Sequence, residues 1–567
     1  MVVQTTTQLR STYNLWQRFH YPTDKGPIDA IAVPKSVGDY LNSAYALILD
    51  LAILQFWTIL FGLVIFYYIW RKKKISGGDK EKASLSPLAY IFWNKKGEFI
   101  DLILATVISG KWKQRMAIPL LFLILIAWVG QKAAGSLVPP LILLGNAAPV
   151  NPSAIYVPDN SGTTNASRAT LFTLEVPRFL RALGSTSIGD ALRQKVNIST
   201  PVPLGQTSNG DDIQRIDYWY TATGTDFGLQ KYPGLTLSVA GSCTTEYGWL
   251  MDSSTLDGGS QGTLAIDDYD VFGELISASV FDGRQPSASF LLGNYTQGTL
   301  ADSNTTWAAV VSSVNRTSFT AGTDPWYLTA PGQSETGAGY SVLPGRPVLS
   351  CWEDDVWSYG GRNSTIVNLG SDALPGLDLA ADFQGILSSI FSNPMILLVG
   401  QHLQASALLS ATTANGQVFN AEASSIHNDL ERLVQAAYVA TVNCLTDLTL
   451  YPAGADRDLA NIALDDTNQP RSDVAEFVVW SPDVAALSTV VVIVIPSVFV
   501  GVWLIATVLL YAPPVNIVNK LSQKDDVPDK IPAPPGDDEN RSQNDTKGTT
   551  PPGKEVGQPG TGPSTPV

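Results

Sequence analysis

Three long apolar runs divide the chain. Residues 51–70, LAILQFWTILFGLVIFYYIW, hold 20 positions without a charge, enough for a helix to cross a hydrocarbon core of ~30 Å. Phe66, Tyr67, Tyr68 and Trp70 close this run, and Arg71, Lys72, Lys73 and Lys74 follow at once. Aromatics and then basic residues mark the interfacial end of a spanning helix. Residues 484–512 form a second uncharged run, with Pro496 inside it and Pro513 and Pro514 ending it. The third, 116–138, is interrupted by Gln131 and Lys132 and spans if Lys132 snorkels to the interface. A shorter run, 99–110, contains Asp101 and is fenced by Lys95, Lys96, Lys111 and Lys113, the pattern of an interfacial helix. The first run starts too late and is too long for a cleaved signal peptide, so it reads as an uncleaved anchor.

Between the second and third spans the period changes. Leu235, Leu237 and Val239 alternate with Thr236 and Ser238, which predicts a half-buried strand. Stretches 306–314, 340–348 and 364–369 read the same way, with Gly, Asp, Asn and Ser clusters between them. Upstream, a short helix is expected around 178–183, broken by Gly184. After about residue 375 helical spacing takes over. Ile386, Leu387, Ile390 and Phe391 share one face, and Ile426, Leu430, Leu433, Val434, Ala437 and Tyr438 share another. The stretch MILLVG at 395–400 is too short to span and reads as a core helix. The expected fold class is an integral membrane protein, three transmembrane α-helices with a large α+β ectodomain, β-rich in front and helical behind. Residues 513–567 are rich in Pro, Gly, Asp, Asn, Ser and Thr and cannot bury enough to fold.

Charge sorts these segments by side. The chain has 567 residues, 36 basic and 51 acidic, and only 15% are charged, well below the roughly 25% of soluble chains. Residues 71–115 hold 11 basic and 4 acidic residues, whereas 139–483 hold 14 basic and 35 acidic. Basic loops stay cytoplasmic. That makes 1–50 an extracytoplasmic arm, 71–115 a cytoplasmic loop drawn to anionic inner-leaflet lipid, 139–483 extracytoplasmic, and the tail cytoplasmic. The acidic balance argues against nucleic acid as a partner. Asn165, Asn197, Asn294, Asn304, Asn315 and Asn363 head N-x-S/T sequons in 139–483, as glycosylation in the secretory lumen requires. All three cysteines, Cys243, Cys351 and Cys444, lie there too, and an oxidising lumen would let two pair. These features place the chain in the plasma membrane or the secretory pathway.

Chemistry is harder to find. Gly258-Gly259-Ser260-Gln261-Gly262 spells G-x-S-x-G but sits in a polar turn, without the strand and helix a nucleophile elbow needs. His20, His402 and His427 have no metal-ligand spacing. Two carboxylate clusters stand out: Asp267, Asp268 and Asp270 around Tyr269, and Glu353, Asp354 and Asp355 between Trp352 and Trp357. Paired carboxyls with stacking tryptophans suit glycoside chemistry; no cofactor is expected, and calcium, which clustered acidic oxygens suit, is the alternative. The plainer expectation for the second cluster is a solvated acidic loop anchored by buried Trp352 and Trp357. The tail contains Pro532-Ala533-Pro534-Pro535, a PxxP match that would meet cytoplasmic proteins.

Two helices, a long Ser/Thr/Asn-rich ectodomain, a third helix and a polar tail give a layout that resembles the uncharacterised multi-pass membrane glycoproteins of filamentous fungi. The resemblance covers the whole chain as architecture. No residue motif carries it, so no functional residue transfers. The expected function is non-enzymatic: an ectodomain that binds an extracellular protein, wall glycan or other ligand. The alternative is a membrane-anchored hydrolase or glycan-modifying enzyme using the ectodomain carboxylates.

Overall fold

The computed structural model describes residues 11–75, 122, 125–126, 128–133, 138–159, 165–186, 190–257, 263–281, 285–293, 304–332, 339–370, 372–411, 418–451 and 460–511. The interfacial helix expected at 99–110, nearly all of the basic loop, much of the run 116–138, the tail and Asn294 lie outside these residues.

In chain order, β1 (Arg18–Tyr21) and β2 (Ile28–Pro34) lead into helix α1 (Lys35–Ile75). Then come β3 (Leu143–Gly145), β4 (Ala147–Pro149) and α2 (Asn165–Ser185). The β-rich stretch follows: β5 (Val196–Ile198), β6 (Val202–Gln206), β7 (Asp212–Thr223), β8 (Thr236–Glu246), β9 (Leu250–Asp257), β10 (Thr263–Val271), β11 (Glu274–Phe281), β12 (Ser287–Leu292) and β13 (Asn304–Ser312). It continues with the short β14 (Thr317–Ser318), β15 (Thr329–Pro331) and β16 (Tyr340–Val342), the long β17 (Val348–Tyr359) and β18 (Arg362–Ser364). Helices α3 (Ala381–Ile390) and α4 (Met395–Leu403), strand β19 (Val418–Phe419) and helix α5 (Ile426–Val442) come next. Strands β20 (Val478–Trp480) and β21 (Val484–Ser488) precede helix α6 (Thr489–Tyr511).

The large sheet runs β12-β13-β17-β8-β7-β5, with β6 also on β7 and β18 on β17. Its inner face carries Ile216, Tyr218, Tyr220, Leu237, Val239, Trp307 and Trp357, all buried, because side chains two apart on a strand share a face. Helices α2, α3, α4 and α5 cover that face and share its core. Trp357 sits at the junction, stacked on Phe227 at 5.8 Å and edge-on to Phe391 at 5.2 Å. A second sheet, β9-β10-β11, packs through Tyr269, Val271 and Ala278 on Ala308, Val310 and Val348 of the large one.

A third sheet ties the chain ends together. Its order is β1-β2-β21-β3. Strand β2 runs directly into α1 and β21 directly into α6. The two helices pack side by side, and the Tyr45 hydroxyl donates to the Val492 carbonyl at 2.7 Å. Both are long and apolar enough to cross a membrane, over Lys35–Leu60 and Thr489–Leu509. Helices α3 and α4, bent by 53°, reach the same composition as a pair, but Phe383, Ile396 and Val399 are fully enclosed in the core.

Several boundaries differ from the sequence reading. Helix α1 begins at Lys35, not Leu51, and its 41 residues reach about 60 Å, twice a hydrocarbon thickness. Residues 484–488 are not helical. They form β21, buried at every position between β2 and β3, and a strand buried on both faces shows the same continuous apolar run as a helix. The helix expected at 178–183 runs from Asn165 and passes through Gly184. The strand expected over 340–348 is two strands, parted by a turn in which Gly345 takes a φ of 67°. Residues 366–368 form a 3-10 turn after β18.

Candidate functional site

Residues 351–357 are the middle of β17, near the centre of the large sheet, and not a solvated loop. Alternation splits the cluster between the two faces. Cys351, Glu353, Asp355 and Trp357 point inward, and Trp352 and Asp354 point outward. Trp352, expected to be a buried anchor, is 43% exposed, while Glu353 is 1% exposed.

The inner set is built by register. Glu353 stands opposite Gly241 of β8, which stands opposite Tyr218 of β7. A Cβ on Gly241 would fall on the Tyr218 ring. The missing side chain therefore opens a window through which Tyr218 crosses β8 and donates its hydroxyl to Glu353 Oε2 at 2.6 Å. Glu353 Oε1 and Asp355 Oδ1 are buried without a hydrogen-bond partner. Burial first, and then the Asp355 charge, push the Glu353 carboxyl well above its ordinary range, against the Tyr218 hydrogen bond. Burial and the Asp354 charge raise Asp355 to about 7. One register step away, Cys351 lies opposite Cys243 and the two form a disulfide, which leaves Cys444 as a buried free thiol pushed by burial up to about 12. Tyr220 closes the set toward α5, its hydroxyl 3.3 Å from Thr441 Oγ1. This is an enclosed acid pair whose carboxyls burial pushes toward the protonated form.

The outer face carries different chemistry on the same strands. One register row places Asn197, Trp219, Ala240, Asp354 and Asn304 side by side on β5, β7, β8, β17 and β13. The next places Asp217, Ser242, Trp352 and Thr306 in line. Trp219 is 48% exposed. Asp217 is oriented through Oδ1, which accepts from Ser242 Oγ at 2.6 Å and pairs with Arg215 Nε at 3.4 Å. Trp219, Asp217, Ala240 and Ser242 were not singled out from the sequence. The signal was present in DIQRIDYWYTAT, where alternation buries Ile216, Tyr218, Tyr220 and Ala222 and leaves Trp219 facing out between two buried tyrosines.

The other sequence candidates do not join these sets. Asp267 is 1% exposed and accepts from Ser253 Oγ at 2.5 Å, Ser312 Oγ at 2.9 Å and the Gly345 amide at 3.3 Å. It pins the three-stranded sheet to β13. Asp268 points the other way and accepts from Ser277 Oγ at 2.6 Å, and Asp270 is exposed. Among the described residues, no three His, Cys, Asp or Glu side chains come together as a metal site. Asn197, Asn315 and Asn363 are exposed.

Two further buried networks hold the helical layer. Asp429 accepts from the Tyr327 hydroxyl and from the Ser410 amide at 2.9 Å, and Arg316 donates to the Ser410 carbonyl at 3.1 Å beneath Phe419. His402 stacks on Phe172, with Nδ1 2.8 Å from the Leu398 carbonyl and Nε2 3.0 Å from Glu175. Arg178 and His402 outweigh burial and hold the Glu175 carboxyl below its ordinary value.

No curated protein and no solved structure matches the chain. A family model matches residues 176–479, from within α2 to within β20, which takes in the large sheet and its helices and leaves out α1, α6 and the sheet that joins them. The match covers more than half of the chain, which therefore belongs to the family described as a domain of unknown function, DUF8406.

Proposed function

We propose that this protein is a membrane-anchored recognition domain, whose β-rich module faces the extracytoplasmic side and binds a ligand without turning it over. The observation that carries the reading is the segregation of the carboxylates. Glycoside chemistry needs two carboxyls converging across a substrate. Glu353 is enclosed in the core with the Asp355 Oδ1 beside it, Asp267 is consumed by three donors, and Asp268 and Asp270 share the far face of β10 while Asp354 lies on β17 of the other sheet.

The membrane arrangement draws support from parity. Strands β2 and β3 flank β21 in one sheet, so the chain leaves at Lys35 and returns by Leu143 on the same side of the bilayer. An even number of crossings between them fits that pairing: helix α1 would be one, and the apolar composition of 116–138 allows the other. Helix α6 then adds a third and carries the tail across. The net positive loop 71–115 falls on the cytoplasmic side under this arrangement.

The test uses the full-length chain in sealed vesicles of known orientation and a membrane-impermeant maleimide. Ser208→Cys, on an exposed turn, is expected to label from the extracytoplasmic side, and Ser542→Cys only after permeabilisation. The native cysteines are silent, two in the disulfide and one buried. Protection of Ser208→Cys together with labelling of Ser542→Cys would overturn the reading.

A further inference from the structure

We infer that the outer face of the large sheet is a glycan-binding platform, on which Trp219 and Trp352 stack against rings of a linear β-linked polysaccharide and Asp217 and Asp354 accept its hydroxyls. The inference rests on the reading that this domain faces the extracytoplasmic side.

The surface is the part of the outer sheet face beside the second sheet, which packs on Ala308, Val310 and Val348 of that same face. The two indoles stand on β7 and β17, diagonal across β8, which offers only Ala240 and Ser242 between them. Two strand spacings across and two residues along put their Cα atoms about 12 Å apart. Among the described residues, only Ala240 and Ser242 stand on the strand between the rings, so an extended chain can lie over both. Each tryptophan has a carboxylate two residues along its own strand and on the same face, Asp217 by Trp219 on β7 and Asp354 by Trp352 on β17. Ser242 and Arg215 hold Asp217 in place before any ligand arrives.

The chemistry selects the ligand class. A pyranose ring offers an apolar C–H face to an indole and hydroxyl donors around its rim. An alternation of indole and carboxylate over a small polar floor matches that pattern. A lipid surface or a protein hot spot asks for contiguous apolar area, and here carboxylates interrupt it. Phosphorylated and nucleic-acid ligands meet two acids and one arginine, the wrong balance for an anion. The competing occupant is the chain's own glycan, because sequon residues Asn197 and Asn304 stand at the two ends of the Trp219 row.

The experiment uses the full-length protein in lipid nanodiscs free of sugar-based detergent, titrated with cellohexaose, laminarihexaose and chitohexaose by calorimetry and tryptophan emission. It is run on the native chain and on an Asn197→Gln/Asn304→Gln background. At least one oligosaccharide is expected to bind saturably. Trp219→Ala and Trp352→Ala should each weaken that binding about tenfold, while Trp480→Ala, at an indole exposed elsewhere, leaves it unchanged. All three variants should melt with the parent. Binding that ignores both Trp219 and Trp352 overturns the platform. So does the absence of binding in both backgrounds, and so does an emission change on removing the N-glycans with no oligosaccharide bound. Maleimide labelling of Ser208→Cys separates the two levels. Labelling without glycan binding overturns the platform alone, and protection of that site overturns the reading beneath it as well.

Discussion

The two faces of the central strands carry different side chains in different surroundings. On β7, β8 and β17, inward positions hold Tyr218, Gly241, Glu353 and a disulfide, closed over by four helices. Outward positions one residue away hold the exposed Trp219, Ala240 and Trp352 and the half-buried Asp354. The strands and residue types are shared, and only the parity of position differs. An acid on the inner face is a structural element whose ionisation is costly. An acid on the outer face keeps contact with water. Counting acids along the chain therefore says little about chemistry until the face of each is known.

The comparison breaks most severely where the inner face is opened. Replacing both Cys243 and Cys351 by Ala removes a cross-link over 108 residues and is expected to cost about 2–5 kcal/mol in urea unfolding. An effect below about 1 kcal/mol would mean that the β8–β17 pairing does not need the bridge. Next comes Gly241→Val, which puts atoms where the Tyr218 ring lies. Overpacking, together with loss of the donor to Glu353, should cost about 3 kcal/mol. Tyr218→Phe keeps the ring and removes only the hydroxyl, for about 1–3 kcal/mol. A neutral result there would show that Glu353 finds another donor.

The pH dependence sharpens the contrast. Folded-state carboxyls at Glu353, at Asp355 (about 7) and at Asp324, which burial raises to about 6, keep protons that the unfolded chain releases near its ordinary values. Between those values and about pH 7 the folded state binds more protons, so stability falls as pH rises, by at most about 1.4 kcal/mol per pH unit for each group. The unfolding midpoint should be higher at pH 5 than at pH 7.5. Glu353→Gln/Asp355→Asn should flatten the slope, and an unchanged slope would assign it elsewhere. Glu175 works in the opposite sense. Its lowered value contributes stability that is lost only as pH falls below its ordinary 4.5. The smallest effect belongs to the outer face, where Trp219→Ala and Trp352→Ala should each change stability by no more than about 0.5 kcal/mol. A loss near that of Tyr218→Phe would mean that these indoles hold the fold.

Local pattern made much of this legible. The period of 3.6 over Ile426, Leu430, Leu433, Val434, Ala437 and Tyr438 located the helix that covers the inner sheet face, and all six side chains are buried. Leu235, Leu237 and Val239 marked β8 and its entry, and the MILLVG stretch was read correctly as core. The misreadings share one cause. The apolar run at 484–488 and the mixed stretch at 35–50 carry no signal of their partner, and only pairing with β2 and β3 makes the first a strand. Trp352 was misplaced because one tryptophan in an acidic stretch does not reveal which face of a sheet it occupies.

The sequence by itself determined the apolar runs, the sorting of charge around them, the alternation that makes strands and the spacing that makes helices. These depend on neighbours within a few residues, and a chain displays them directly. Tertiary structure alone decided that Cys243 meets Cys351, that Gly241 lets Tyr218 reach Glu353, and that Trp219 and Trp352 share one open face. Each of these joins strands far apart in the chain. Their register is set by how the whole sheet packs on its helices, and no local pattern encodes it.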